Sequence, residues 1–175
     1  LAPPDIHAGL APADLLATSI PELDLAADDL PDSARLQQMA REAEETALAI
    51  KGVSRSGGAS ASASRRRVAL LTSNGFASTY ERTGISVSVS AIAGEGTGME
   101  RDYDYSSAIH GADLRSPQSV GVRAGERAVR RLNPRKVASC QVPVIYDGRV
   151  APGLLSHLSA AISGSAIARG TSFLK

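Results

Sequence analysis

The sequence predicts an α+β fold, an antiparallel meander sheet over residues 57–108 packed with helices over residues 33–51, 117–132 and 150–169. Three observations carry this. Apolar residues alternate with serine and threonine through the middle of the chain, which is the repeat of strands with one buried face. On either side, apolar residues recur at three- and four-residue intervals, the repeat of amphipathic helices. The hydrophobic content is 43%, enough for a core in 175 residues, yet there is no Trp and only two Phe and four Tyr. Ala, Val, Leu and Ile must therefore fill the core, and small side chains draw backbones together.

Residues 1–31 are rich in proline with short apolar groups, and read as a connector with one or two helical turns. The remainder of an N-terminal α+β domain follows over residues 32–135. Its first helix starts at Pro31-Asp32-Ser33, carries Leu36, Met39, Ala40, Ala43, Ala47 and Ile50 at helical spacing, and ends at Gly52. Glu42, Glu44 and Glu45 read as its solvated face. Four or five strands are expected next, from the runs 59–64, 68–72, 85–92 and 99–108. Asn74-Gly75 between two of them is a hairpin signal, read as a two-residue type I′ turn, and Thr83-Gly84 is a weaker turn of the same kind. Arg65-Arg66-Arg67 reads as a solvated edge that discourages strand pairing.

The second helix has Ser116 as N-cap and Pro117 at its first position, with Val120, Ala124, Ala128 and Leu132 as its buried stripe. Arg123, Arg127, Arg130 and Arg131 occupy much of the rest. Asn133-Pro134 stops it. Residues 136–175 then read as a strand over Val137–Tyr146 and a long small-residue helix, beginning a further domain or a domain junction.

Charge and cysteine content narrow the function. With 19 basic and 18 acidic side chains the formal charge is +1, which gives no general argument for nucleic acid or an anionic membrane. Cys140 is single, expected as a half-buried residue on a strand, and with no signal peptide or long apolar span the chain is expected in the cytoplasm. His7, His110 and His157 are too dispersed for a local metal motif, and His157 lacks an adjacent glutamate. Gly94-Glu95-Gly96-Thr97-Gly98 lacks the Lys-Ser/Thr and following helix of a phosphate loop. One chemical grouping remains. In Arg101-Asp102-Tyr103-Asp104-Tyr105, strand alternation puts Arg101, Tyr103 and Tyr105 on one face, where they could line a peptide groove, and Asp102 and Asp104 on the other.

Several segments together resemble the TldD/PmbA family, and its PmbA (TldE) branch in particular. They are Arg82-Thr83 through Ser90-Ala91, Gly98-Met99-Glu100-Arg101-Asp102-Tyr103, and Gly121 to Leu132 with Arg135-Lys136-Val137. Above all they include Gly153-Leu154-Leu155-Ser156-His157-Leu158, Ile162-Ser163-Gly164, Arg169 and Ser172-Phe173-Leu174. The resemblance implies a central fragment of a longer protein in a bacterial zinc metallopeptidase system. There a TldD-type and a PmbA-type subunit associate and cleave unfolded peptides, including microcin precursors and antitoxins. It also implies that Leu155, Ser156 and Ala160 stand where the TldD branch carries His-Glu-x-x-x-His. None of the three ligates zinc or acts as a base, so this chain is expected to hold no catalytic, cofactor or metal residue, with zinc only in the TldD-type partner.

Histidines five apart on a helix lie about 140° apart around it, so the metal motif needs a distorted turn, whereas apolar and small residues need none. A regular helix is expected here. Two rival functions remain open: a peptidase in its own right with ligands beyond Lys175, and a nucleic-acid-associated regulator using the arginine-rich helix Val120–Leu132. Self-association through an unpaired sheet edge is also expected.

Overall fold

The computed structural model describes residues 9–174, and the chain divides after Pro134 into two compact units. His7 lies outside the described residues. In the first unit the described residues of the connector are irregular apart from one 3₁₀ turn at Ala13–Leu15. Helix α1 spans Ser33–Leu48, and its start is fixed by the Asp32 carboxylate, which accepts from the Arg35 backbone N–H at 2.8 Å. Helix α2 spans Pro117–Arg130, with the Ser116 hydroxyl accepting from the Ser119 N–H at 3.2 Å.

Between the helices in sequence comes a three-stranded antiparallel sheet in the order β1 (Val53–Leu71), β2 (Ala77–Ala93), β3 (Glu100–Ala108). The fold class is the expected α+β, with fewer and longer strands. Residues 59–64 and 68–71 form one strand because the ladder continues unbroken through the arginines, and Thr83-Gly84 is no turn but lies inside β2. Thr83 is buried there, its hydroxyl accepting from the Ala27 N–H at 2.8 Å and donating to the Ile109 carbonyl at 3.1 Å.

The β1–β2 hairpin turns through three residues, not two. The Thr72 carbonyl accepts from the Gly75 N–H at 3.1 Å, the Thr72 N–H donates to the Phe76 carbonyl at 2.9 Å, and of the central residues only Gly75 has positive φ, at 95°. This is the type I turn with a left-handed glycine after it. Nothing lies within 4 Å of a Cβ placed on Gly75, so the cost of Gly75→Ala is purely conformational. A loss of about 1 kcal/mol in urea unfolding is expected.

Both helices cover one sheet face. Ile85, Val87, Val89, Ala91 and Ala93 of β2 meet Met39, Ala43 and Ala47 of α1 and Val120, Ala124 and Ala128 of α2. The helices touch each other through glycine: a Cβ on Gly121 would stand 2.4 Å from the Ala43 carbonyl oxygen, and one on Gly125 would stand 2.7 Å from Ile50 Cγ1. Glu42 is more than solvated surface, since it accepts from Gln38 at 2.7 Å on its own helix and from Gln118 at 2.9 Å on α2.

The second unit departs further from expectation. Residues 137–146 form no strand and are exposed, because a strand needs a neighbour to complete its ladder and none of the described residues pairs with them. Cys140 is accordingly exposed. The helix expected over 150–169 is two, α3 (Pro152–Ala161) and α4 (Gly164–Ala168), separated where Ser163 turns to ψ 126°. Serine and glycine are weak helix formers whose local alternatives compete with the helical ladder. Beyond α4 the chain folds back, and the buried Ser172 hydroxyl donates to the Ala161 carbonyl at 2.7 Å.

Candidate functional site

The sheet face away from the helices is open within the first unit, and the strand alternation decides what it shows. Tyr103 and Tyr105 are half exposed, at 50% and 52%, and their rings stack with centroids 6.4 Å apart. Arg101 lies on the same face and donates from Nε to the Ser90 hydroxyl at 2.7 Å. The three residues picked out in the sequence are therefore brought together. Beside them the ladder is carpeted with serine, Ser60 bonding Ser88 and Ser62 bonding Ser86, each at 2.9 Å between hydroxyls. A surface of short hydroxyls lets another extended chain approach closely. Farther along this face is a shallow concavity of about 480 Å³ lined by Ser62, Ser64, Arg66, Arg82, Ser86 and Ser107, among others.

The opposite side of β3 is buried and ionic. Asp104, 4% exposed, accepts from Arg115 at 2.7 Å and from Arg127 of α2 at 2.5 Å. Burial pushes its pKa up, but the two guanidinium hydrogen bonds outweigh this and hold the carboxyl below its ordinary value. The same arginines reach the outer edge of β3: Arg115 donates to the Tyr105 carbonyl and Arg127 to the Tyr103 carbonyl, while the Tyr103 N–H is taken by the Asp102 carboxylate at 2.7 Å. This edge is closed to strand addition by side chains.

The arginine run is also divided by the ladder. Arg65 and Arg67 both pair with Glu81, and Arg65 further holds the Ala27 and Asp28 carbonyls at 2.8 Å, so it ties the connector to the sheet instead of merely solvating an edge. The hydrogen bonds that Glu81 accepts from Arg65 and Arg67 lower its pKa. On α2, Arg127 pairs with Asp104 and Arg130 with Glu126, and Arg131 at its C-cap pairs with Glu100 and Asp102.

Leu155, Ser156 and Ala160 lie on α3, which runs as α-helix through all three, and all are exposed within their unit. The Ser156 hydroxyl donates to the Pro152 carbonyl at 3.2 Å. His157 is exposed beside them. His110 sits in a loop, its Nε2 3.2 Å from the Asp24 carbonyl oxygen. Two hydrocarbon side chains and one hydroxyl do not fit zinc, and among the described residues no group of three or more His, Cys, Asp or Glu side chains comes together. No helix of the described residues is long and apolar enough to cross a membrane.

Sequence reasoning missed the Asp104 node and the pairing of Arg66 with Arg82. The first had no local signal, since its arginines are 11 and 23 residues away. The second follows from counting outward from Asn74 once the turn is known to have three residues.

Comparison with known proteins places this geometry. The PmbA/TldA metallopeptidase central domain matches residues 23–132. The chain is 38% identical over 174 residues to the metalloprotease PmbA homolog of Haemophilus influenzae and equally to metalloprotease PmbA of Escherichia coli O157:H7, covering 98% of this chain and 38% of each relative. It thus spans well under half the length of these curated relatives. A crystal structure from Bacteroides thetaiotaomicron, described as a proposed modulator of DNA gyrase, superposes with a TM-score of 0.78 at 27% identity over 96% of this chain and 40% of that one. A Thermotoga maritima structure described in the same way shares the fold, with a TM-score of 0.64 at 18% identity over 71% of this chain and 29% of that one. With the central domain matched across the α1–sheet–α2 unit, and the likeness to the curated relatives running on through α3 and α4, the chain belongs to the PmbA/TldD family.

Proposed function

We propose that this chain is the central part of a non-catalytic, PmbA-type subunit that shapes a peptide path beside a zinc-bearing TldD-type subunit. The observation that carries this is the character of Leu155, Ser156 and Ala160, which offer no ligand or base at the positions where the sister branch carries its metal motif. The open sheet face, with Arg101, Tyr103 and Tyr105 above a serine carpet, supplies the wall of the path. Its substrates are unfolded peptides, of which microcin precursors and antitoxins are examples, and its compartment is the cytoplasm. Self-association runs through the outer edge of β1, since the β3 edge is closed.

The test uses the full-length protein, alone and mixed with its TldD-type subunit. Alone it is expected to contain no stoichiometric zinc and to leave an unfolded peptide uncut, while the mixture binds one to the other and hydrolyses it. Ser156→Ala is expected to leave the activity of the mixture unchanged. Zinc bound by the full-length protein alone, with hydrolysis abolished by a substitution within residues 9–174, would overturn the proposal and favour a peptidase in its own right. The nucleic-acid reading is disfavoured by the arginine-rich segment itself, because Arg127 and Arg130 of α2 and Arg131 at its end are engaged by carboxylates.

A further inference from the structure

Arg66 and Arg82 stand directly opposite each other across the β1–β2 ladder, so their side chains share the open face. Both are exposed, and neither guanidinium has an ion pair among the described residues. Like charges directly opposite on a ladder destabilise it. Their sequence neighbours show the alternative, since Arg65 and Arg67 on the other face are both neutralised by Glu81. The concavity that Arg66 and Arg82 line is otherwise hydroxyl and aliphatic, with Ser62, Ser64, Ser86 and Ser107 around them and no carboxylate in its lining. Two uncompensated guanidiniums lining one hydroxyl-rich concavity make a complement for a planar anion.

We infer that this groove binds a carboxylate of an extended acidic polypeptide between Arg66 and Arg82. The inference rests on the peptide-handling reading above and gives it a preference for acidic segments. A polypeptide is favoured over nucleic acid because a run of phosphates needs a row of free cations, and seven of the thirteen arginines of this unit already pair with its own carboxylates. No aromatic ring lines the groove to stack a base.

Fluorescence anisotropy of the full-length protein tests this with a labelled, end-blocked peptide of alternating Thr and Glu, its Gln counterpart, and the Gln peptide with a free C-terminal carboxylate. The Glu peptide is expected to bind about tenfold more tightly than the blocked Gln peptide, and Arg66→Gln or Arg82→Gln to remove about that factor. Arg41→Gln, exposed on α1 and outside the groove, is expected to change nothing. Recovery of binding by the free C-terminus supports the same carboxylate chemistry, with a chain end as its source.

Without peptide, Arg66→Gln is expected to be at least as stable as the parent, which separates a binding loss from misfolding. Equal binding of the Glu and blocked Gln peptides, an equal loss in Arg41→Gln, or preferential binding of oligothymidylate overturns the inference. Zinc and the partner subunit are absent from this assay, so hydrolysis of the peptide by the protein alone sinks the non-catalytic reading while leaving the carboxylate site standing.

Discussion

Gly121→Ala is expected to destabilise the helix-and-sheet unit by about 2 kcal/mol, a fall of roughly 6–10 °C in Tm. Alanine favours a helix interior over glycine by about 1 kcal/mol, so the intrinsic effect has the opposite sign. Contact geometry reverses it. The added Cβ would lie 2.4 Å from the Ala43 carbonyl oxygen, 2.8 Å from Thr46 Cβ and 3.1 Å from the Ala47 nitrogen. Two of these three atoms belong to the backbone of α1 and cannot rotate away, so the helices must separate. Separation opens the small-residue core formed by Ala43, Ala47, Ala124 and Ala128, where no large side chain is available to fill the gap.

Gly125→Ala meets Ile50 Cγ1 at 2.7 Å, which can rotate away, but also Ile50 Cβ at 2.9 Å, which cannot, and the Ala47 carbonyl oxygen only at 3.1 Å, so it is expected to be destabilising but to cost less than Gly121→Ala. Gly153→Ala on α3 meets nothing within 4 Å and is expected to be neutral or stabilising. Denaturant unfolding followed by circular dichroism checks the order. Equal effects at Gly121 and Gly153 would show that propensity, not the helix contact, sets the outcome.

The same residues show why the fold was legible in the sequence and where legibility stopped. The absence of Trp and the alanine stripes of α1 and α2 foretold close helix packing, but Gly121 and Gly125 fell outside the apolar stripe because glycine carries no hydropathy signal. Caps at Asp32 and Ser116 were readable because their hydrogen bonds are local. Strand number was misjudged where polar arginines interrupted the apolar alternation without interrupting the ladder. Turn type mattered most for the site. A two-residue turn at Asn74-Gly75 would place Arg67 opposite Arg82 and Arg66 opposite Thr83, whereas the observed turn pairs Arg66 with Arg82. One residue of register moves a side chain to the other face, so the uncompensated arginine pair was invisible until the turn was known. The strand over 137–146 failed for the complementary reason: its pattern is strand-like, but alternation specifies a face and not a partner.

Asp104→Asn is expected to cost about 2 kcal/mol at neutral pH and to remove part of the acid sensitivity of the fold. The carboxylate links β3 to Arg115, before α2, and to Arg127, within it, and both arginines continue to the carbonyls on the β3 edge. Losing the charge therefore loosens the sheet edge as well as the helix contact. The cost stays below that of a fully buried triad, because the Arg115 and Arg127 side chains are 35% and 23% exposed and recover some hydration.

The pH dependence follows from the depressed folded-state pKa. An unfolded chain binds this proton near the ordinary aspartate value, about 3.9. The native carboxylate must be driven lower, so its contribution is complete above that value and is lost as pH falls through it toward the native pKa. Parent and Asp104→Asn stabilities measured from neutral pH down to this range are thus expected to converge. A gap that stays constant with pH would mean that the amide lost only shape, and that Asp104 contributes no charge-dependent stability.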